Sequence, residues 1–375
     1  MVRWGILGAG KIAGEFVQAL QQLPATTVVA VGSRTLENAQ RFAHQYQIPQ
    51  IYGSYAELVQ ATDIDIIYIA TPHTLHKEHC ILCLEANKAV LCEKPFAINA
   101  AEAQEVIAVA RQKQLFCMEA MWMRFVPAMR KAYELVQSGA IGEIQMINAS
   151  LGFLVDYDPT HRAFNLALGG GALLDLGVYP LSLIVQLLGI PTTISSHATI
   201  GQTGVDEQAA VVLGYAQVEV ASFSTSLRTF DRNDAVIMGS NGQIRIQEPL
   251  YRPEALSVQK YSLHVGAKGA NVAGVAQSNG TGLITRLRQN ERLKAGYRRV
   301  RPILAPFLGL QTKQIRLPSS GNGYQYEAME VMECLRRGLI ESPIMPLDQT
   351  LQVMETLDAI RAQWQLRYPQ ETIVV

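Results

Sequence analysis

The stretch that most constrains this chain is its first thirteen residues, MVRWGILGAGKIA. Val2 to Leu7 supply a short apolar strand, and the glycines after it read as a turn into a helix. In such a turn Gly8 permits the tight reversal and Gly10 lets a phosphate approach the backbone. Ala13 sits where a small side chain allows close helix packing. A helix opening near Lys11 and Ile12 then aims its free N–H groups and positive dipole end at that phosphate. The context agrees, because an apolar helical pattern follows (Phe16, Ala19, Leu20, Leu23) and a second β-rich run, TTVVAVGSR, arrives at crossover distance. The start of the chain therefore reads as a dinucleotide-binding unit of strand, helix and strand.

A length of 375 residues points to two domains and a sizeable core. Lys plus Arg equals Asp plus Glu, 32 each, so net charge gives no general pull toward nucleic acid or an anionic membrane. Hydrophobic content of 49% with 17% charged residues excludes a disordered chain. We expect no membrane helix, since we read no run approaching about 18 apolar residues, and no signal peptide, since the N-terminus enters a strand at once. The expected setting is the cytoplasm. Five cysteines, with Cys92 and Cys117 inside apolar segments, suit reduced, buried thiols.

Past the first unit, the second strand ends in Ser33-Arg34, where a carboxylate would grip the 2′-hydroxyl of NAD. A hydroxyl followed by a guanidinium suits the 2′-phosphate of NADP instead. DIDIIYIATP (63–72) is a nearly continuous apolar strand of the kind buried in parallel sheets. Its end, Thr71-Pro72, is followed by His73, His76, His79, Cys80 and Cys83, a crowd that invites a metal. We expect none, because Cys80 and Cys83 belong with Leu84 to the apolar face of a helix. His73 and His76, just beyond a strand's carboxyl end, are placed to touch cofactor or substrate. The next strand ends in Glu93-Lys94-Pro95, which makes Lys94 a candidate cation in the cleft. A helix over Ala100 to Lys113 and a strand at 115–120 close the first domain near residue 122.

Beyond it, Pro127 fits a helix's first turn, and Gly139 and Gly142 mark its end. Residues 168–189 read as three glycines running into an apolar helix, with Asp175 and Tyr179 four apart on one face. Either they form a mutually satisfied buried pair or they serve chemistry. Runs at 193–201, 209–216, 218–228 and 234–247 read as strands of an antiparallel sheet. A small-residue stretch at 266–282 holds five glycines, and Arg286 to Arg301 holds seven basic residues and one acid. Helices near Tyr324 to Arg337 and Pro346 to Gln363 close the chain.

Taken together, GAGKIA, TPHTLH, CEKPF, EAMWMRFVP and GGGALLDLGVYP resemble, in order and spacing, the motifs of the Gfo/Idh/MocA oxidoreductases. The closing ESPIMPLDQTLQVMETLDAIRAQW is similar to that family's C-terminal end. EAMWMRFVP with the DLGVY tyrosine most resembles the NADP-linked dihydrodiol and xylose dehydrogenases. The likeness covers about residues 1–250 and 318–368, and 250–316 reads as an insertion.

The resemblance implies an α/β Rossmann domain (1–122) and an α+β domain (123–375) with a large open, mostly antiparallel sheet. It implies NADP(H) held by Gly8, Gly10, Lys11, Ile12, Ala13, Ser33, Arg34, Thr71, Pro72, His73, His76, Glu93, Lys94, Glu119, Trp122 and Arg162. Lys94, Tyr179 and Asp175 become the catalytic residues of a hydride transfer at a carbinol or carbonyl carbon of a sugar, polyol or dihydrodiol. A free tyrosine is a poor base at neutral pH, so Lys94 is expected to lower the Tyr179 pKa. Two alternatives stand: a reductase of a non-sugar ligand such as a bilin, and a non-catalytic NADP-sensing protein. The partners expected are a small-molecule substrate and further copies of the chain, since Val218 and Val220 on one face and Ala221 and Phe223 on the other would make the sheet apolar on both sides. Neither nucleic acid nor membrane is expected.

Overall fold

The computed structural model describes residues 1–261 and 312–372. The first half alternates strand and helix: β1 (Val2–Leu7), α1 (Lys11–Leu20), β2 (Thr26–Gly32), α2 (Leu36–Tyr46), β3 (Gln50–Tyr52), α3 (Tyr55–Val59), β4 (Ile66–Ile69), α4 (His76–Glu85), β5 (Ala89–Glu93), α5 (Ala100–Lys113) and β6 (Cys117–Ala120). The six strands form one parallel sheet in the order β3-β2-β1-β4-β5-β6. The chain reverses its direction of travel between β1 and β4, which opens a crevice at the carboxyl ends of those strands. The apolar run at 63–72 contributes four paired residues, all buried, because both faces of β4 are covered by helices.

The second half opens with α6 (Pro127–Gln137) and β7 (Ile144–Gly152) and reaches α7 (Val178–Leu188). Then come β8 (Thr193–Ile200), β9 (Asp206–Gly214), β10 (Val220–Ser226), β11 (Ala235–Gly239), β12 (Gly242–Ile246), β13 (Ala255–Lys260) and β14 (Thr312–Arg316). Eight strands pair in the order β14-β13-β12-β11-β7-β10-β9-β8, antiparallel except for the parallel pair β7–β10. Ala221, Phe223, Val211 and Leu213 fill the inner face beneath α7. The helices α8 (Tyr324–Arg336) and α9 (Leu347–Ala362) return to the first half: α8 packs on α1, and α9 lies across α5 and α7.

Several expectations change. Residues 255–260 and 312–316, at the two ends of that stretch, are the last two strands on one side of the large sheet, paired from Ala255–Arg316 to Gln259–Thr312, so these two pieces belong to the sheet. Leu256 and Val258 are buried there, which gives β13 its own share of the apolar face. The glycine stretch 266–282 and the basic run Arg286 to Arg301 lie outside the described residues. Val218 lies in the turn before β10 and is exposed, so the outer face of that strand is less apolar than expected. Leu166–Leu188, with a mean hydropathy of 1.7, is as long and apolar as a membrane span, but 83% of its apolar window is buried in the protein, where it forms a core segment.

Candidate active site

At the carboxyl end of β1 the glycine turn divides its labour. Gly8 has φ +109°, and a methyl group there would meet the Ala70 carbonyl oxygen at 2.8 Å, so the turn is pressed against the end of β4. Gly10 has an ordinary extended conformation, and a methyl group on it would meet nothing within 4 Å among the described residues. Neither the backbone nor packing among the described residues asks for glycine at position 10, so the turn has room for a ligand to lie against the main chain there. Ala13 is fully buried, and its neighbour packs closer still: a methyl on Gly14 would overlap the Tyr46 hydroxyl at 2.2 Å. Lys11 and Ile12 begin α1, and Lys11 is exposed beside the turn. At the end of β2, Ser33 is buried and its N–H bonds to the Tyr52 carbonyl, while Arg34 is exposed. Burial raises the Tyr55 pKa, and the charge of Arg34 opposes that rise, which places the guanidinium beside the phenol. These residues fit a dinucleotide bound across the crevice with a charged group near Arg34.

The histidines diverge. His76 is fully buried, its Nδ1 2.8 Å from the Pro95 carbonyl and its Nε2 2.9 Å from the Thr71 carbonyl. It staples the turn after β4 to the turn after β5. Contrary to expectation, it presents no surface to a cofactor. His73 Nδ1 lies 3.2 Å from the Gly169 carbonyl, and burial pushes its pKa down to about 3, so the ring is neutral. His79 Nδ1 is bonded to the Thr71 hydroxyl at 3.0 Å, and Cys80 and Cys83 face the core. Pro72 is exposed at the crevice.

Lys94, at the end of β5, is the centre of a charged cluster. Its Nζ donates to the Asp175 carbonyl at 2.8 Å and to Asp175 Oδ1 at 3.1 Å, and Arg162 Nη1 reaches the same Oδ1 at 3.1 Å. Asp175 lies in a π-turn, Leu173–Gly177, just before α7. Burial works to raise the Asp175 pKa, but Lys94, Arg162 and His73 outweigh it and hold the carboxyl well below its ordinary value. Burial likewise opposes the Lys94 charge, yet Tyr179 and Asp175 carry its pKa above the usual lysine value. Lys94 is thus a fixed ammonium. Arg162 is tied to Asp175 at the exposed rim of the cluster.

Asp175 and Tyr179 do share a face, but their polar groups go to different partners. The Tyr179 hydroxyl accepts from Trp122 Nε1 at 3.0 Å, and Lys94 Nζ stands 4.7 Å from the centre of its ring. Burial raises the Tyr179 pKa, and the lowering by Lys94 does not overcome it, since Glu93 and Asp175 push the same way as burial. The expected net lowering is therefore reversed here: the resting tyrosine is a phenol. Trp122, expected at the cofactor, is only 5% exposed and is engaged by this bond and by stacking on Tyr324 at 4.7 Å. Glu93 accepts from the Tyr68 hydroxyl and from the Lys94 N–H at 3.2 Å. Glu119 is 0% exposed, so it too cannot touch an entering molecule. Its pKa is pushed up to about 7 by burial, against the opposing charge of Arg124.

Sequence reasoning missed the rings around Tyr179. Tyr251 lies 6.2 Å from Tyr179, 5.8 Å from Trp122 and 6.0 Å from Phe153, which in turn meets the exposed Phe230 at 6.5 Å. They sit at strand ends and in loops, where no periodicity marks them. Among the described residues no three His, Cys, Asp or Glu side chains gather as a metal site.

Comparison with known proteins fits this arrangement. The family described as "Oxidoreductase family, NAD-binding Rossmann fold" matches residues 2–121, and the GFO/IDH/MocA C-terminal domain matches 129–245. The chain belongs to the GFO/IDH/MocA oxidoreductase family. Among its relatives is a trans-1,2-dihydrobenzene-1,2-diol dehydrogenase of Mus musculus, 36% identical over 99% of both chains. The Homo sapiens protein of that name is 33% identical, again over 99% of both. Among solved structures of this fold, an aldose–aldose oxidoreductase from Caulobacter crescentus aligns over 98% of both chains at 22% identity and a TM-score of 0.76. A 3-ketoreductase from Actinomadura kijaniata in complex with NADP and TDP-benzene aligns over 96% of this chain and 97% of its own, at 23% identity and a TM-score of 0.75.

Proposed function

We propose that this chain is an NADP(H)-dependent oxidoreductase that interconverts a carbinol and a carbonyl on a ring-bearing diol, sugar or polyol. The carrying observation is Tyr179, a phenol lodged between the Lys94 ammonium and Trp122 at the mouth of the dinucleotide crevice. When bound, the nicotinamide supplies or accepts the hydride. The protein's part is the proton. Because the Tyr179 pKa is raised, the resting side chain holds its proton at neutral pH and gives it to the alkoxide formed in reduction. Lys94, kept cationic, stabilises both that alkoxide and the phenolate left behind. Asp175 fixes Lys94 through two contacts, and Arg162 anchors Asp175 from the rim.

Preference for NADP is supported by Ser33 and Arg34 and by the NADP in the ketoreductase structure. A ring in the substrate is supported by Tyr251 and Phe153 beside Tyr179 and by the dihydrodiol dehydrogenase relatives. The buried state of all five unpaired cysteines suits a reducing compartment, and we place the protein in the cytoplasm. We further propose a homodimer or larger assembly through the outer sheet face, where Met146 and Val212 are exposed around a hollow floored by Asn148, Ser222, Ser224 and Met238. Light scattering should show more than one copy.

The decisive test pairs a panel of dihydrodiols, aldoses, inositols, dicarbonyls and bilins with NADP(H) and NAD(H) in both directions. On the best substrate, Lys94→Ala and Tyr179→Phe should each lower kcat by roughly 10²–10⁴-fold, and the double variant should lose little more. Near-normal turnover by Tyr179→Phe would remove the tyrosine from the mechanism. Binding of NADPH with no turnover across the panel would favour a sensor.

A further inference from the structure

Gly169, Gly170 and Gly171 lead into the turn that carries Asp175, yet three glycines have no side chains with which to hold a position. Their place is imposed from outside. The Gly170 N–H bonds to the Asn165 carbonyl at 3.0 Å and the Gly171 N–H to the Ala163 carbonyl at 2.9 Å, which laces them to the turn bearing Arg162. From the other side Tyr368, 1% exposed, donates its hydroxyl to the Gly170 carbonyl at 2.8 Å, and Gln370 donates to the Ala167 carbonyl at 2.9 Å. Asp206, fully buried, accepts through Oδ2 from the Leu173 N–H at 2.7 Å, on the first residue of the π-turn. Its Oδ1 has no hydrogen-bond partner among the described residues and lies against Gly171, where an added methyl would meet it at 2.2 Å.

The segment that brings Tyr368 is itself tied down. Buried Arg361 pairs with Asp358 and Glu371, and its guanidinium lies 5.4 Å from the centre of the Tyr368 ring. Glu371 accepts from the Tyr368 N–H at 2.8 Å and from Asn99 at 3.1 Å, and Asn99 also caps α5 of the dinucleotide domain. A continuous set of bonds thus runs from the first domain through the end of the chain to the glycine turn.

We infer that Tyr368 and Asp206 are positioning residues for the reaction proposed above, fixing the glycine turn so that Arg162, Asp175 and Lys94 meet at one point. The inference rests on that reading of the activity. A misplacement of a catalytic constellation by about 1 Å costs on the order of 10²-fold, so loss of one hydrogen bond on the turn is expected to show in turnover.

Tyr368→Phe keeps the ring and removes only the hydroxyl. Its kcat should fall by about tenfold while the KM for NADPH stays within about twofold, because the crevice side is untouched. The acid limb of the pH profile should move upward, since an Asp175 less well paired with Lys94 and Arg162 takes a proton at higher pH. Asp206→Asn, which keeps an oxygen for the Leu173 N–H, should do less. Independently of turnover, amide exchange at 170–175 should quicken by about tenfold in Tyr368→Phe, with β1 to β6 unchanged. Wild-type kcat and pH profile in Tyr368→Phe would overturn the inference, as would equal losses of NADPH binding and turnover. If the wild-type chain turns nothing over, the reading of its activity has failed. The anchor is then still decided by exchange, and unchanged exchange at 170–175 would overturn it.

Discussion

Gly10 and Gly171 each stand in a glycine-rich turn that runs into a helix, yet their surroundings are opposite. A methyl group on Gly10 would meet nothing within 4 Å, whereas one on Gly171 would strike Asp206 Oδ1 at 2.2 Å. Gly171 also has φ +124°, a conformation that side chains rarely adopt, while Gly10 does not need glycine for its backbone angles. One turn is open, with room for the dinucleotide proposed above; the other is bare because protein already fills the space. The sequence shows GAG and GGG, and nothing in those letters distinguishes a binding surface from a packed joint.

The largest effect that would test this contrast is expected at the packed joint. Gly171→Ala combines a strained backbone with overlap on a buried carboxylate, so it should cost roughly 3–5 kcal/mol of stability. Thermal or urea unfolding measures it. A loss below about 1 kcal/mol would mean that Asp206 and Tyr368 yield easily and the joint is soft.

The next effect comes from Asp206, whose pKa is pushed up to about 7 by burial, against the opposing Leu173 N–H. A carboxyl whose folded-state pKa lies above its unfolded value contributes stability that is fully present below about pH 4 and lost as pH rises through about 7, on the order of 4 kcal/mol at most. Wild type should therefore lose stability between about pH 4 and 7, and Asp206→Asn should lose less over the same interval. Glu119, raised in the same direction, remains in both proteins, so the difference between the two curves reports Asp206. Parallel curves would show that Asp206 does not titrate in this range.

The smallest effect belongs to the open turn. Gly10→Val should leave the melting temperature within about 2 °C, since no protein atom is met, while weakening NADPH by about tenfold, or 1.4 kcal/mol. Unchanged affinity would mean that the dinucleotide does not lie against Gly10, and the contrast between the two turns would fail.

How much of this was legible in the letters depends on periodicity. The β1 strand and α1 helix announce themselves because apolar residues recur with the right spacing and a glycine turn joins them. Asp175 and Tyr179 could be paired by spacing and by resemblance, but their partners could not. Trp122, Arg162 and Lys94 come from three distant segments, and their meeting is a tertiary fact. The charge balance on Tyr179 was misjudged for the same reason: the sequence shows the nearby cation but not the burial or the Glu93 carboxylate that outweigh it. Tyr251, Phe153 and Tyr368 lie where the chain is irregular, so no repeat marks them. The strands β13 and β14, ALSVQK and TKQIR, are short and half polar; β14 is the sheet's edge and β13 lies next to it.

The return of α8 to α1 has a consequence for how the chain is made. Asn322 donates to the Glu15 carbonyl at 2.7 Å, and Tyr324 comes within 6.5 Å of Phe16, whose ring stacks on Tyr68. The six-stranded sheet is complete once Ala120 has left the ribosome, but the cover for that face of α1 is encoded some 200 residues later. At roughly 5–20 residues per second the nascent sheet waits about 10–40 s with part of α1 uncovered. During synthesis this protein should thus be most vulnerable to aggregation near its first helix, and most in need of a chaperone there, until its last fifty residues emerge.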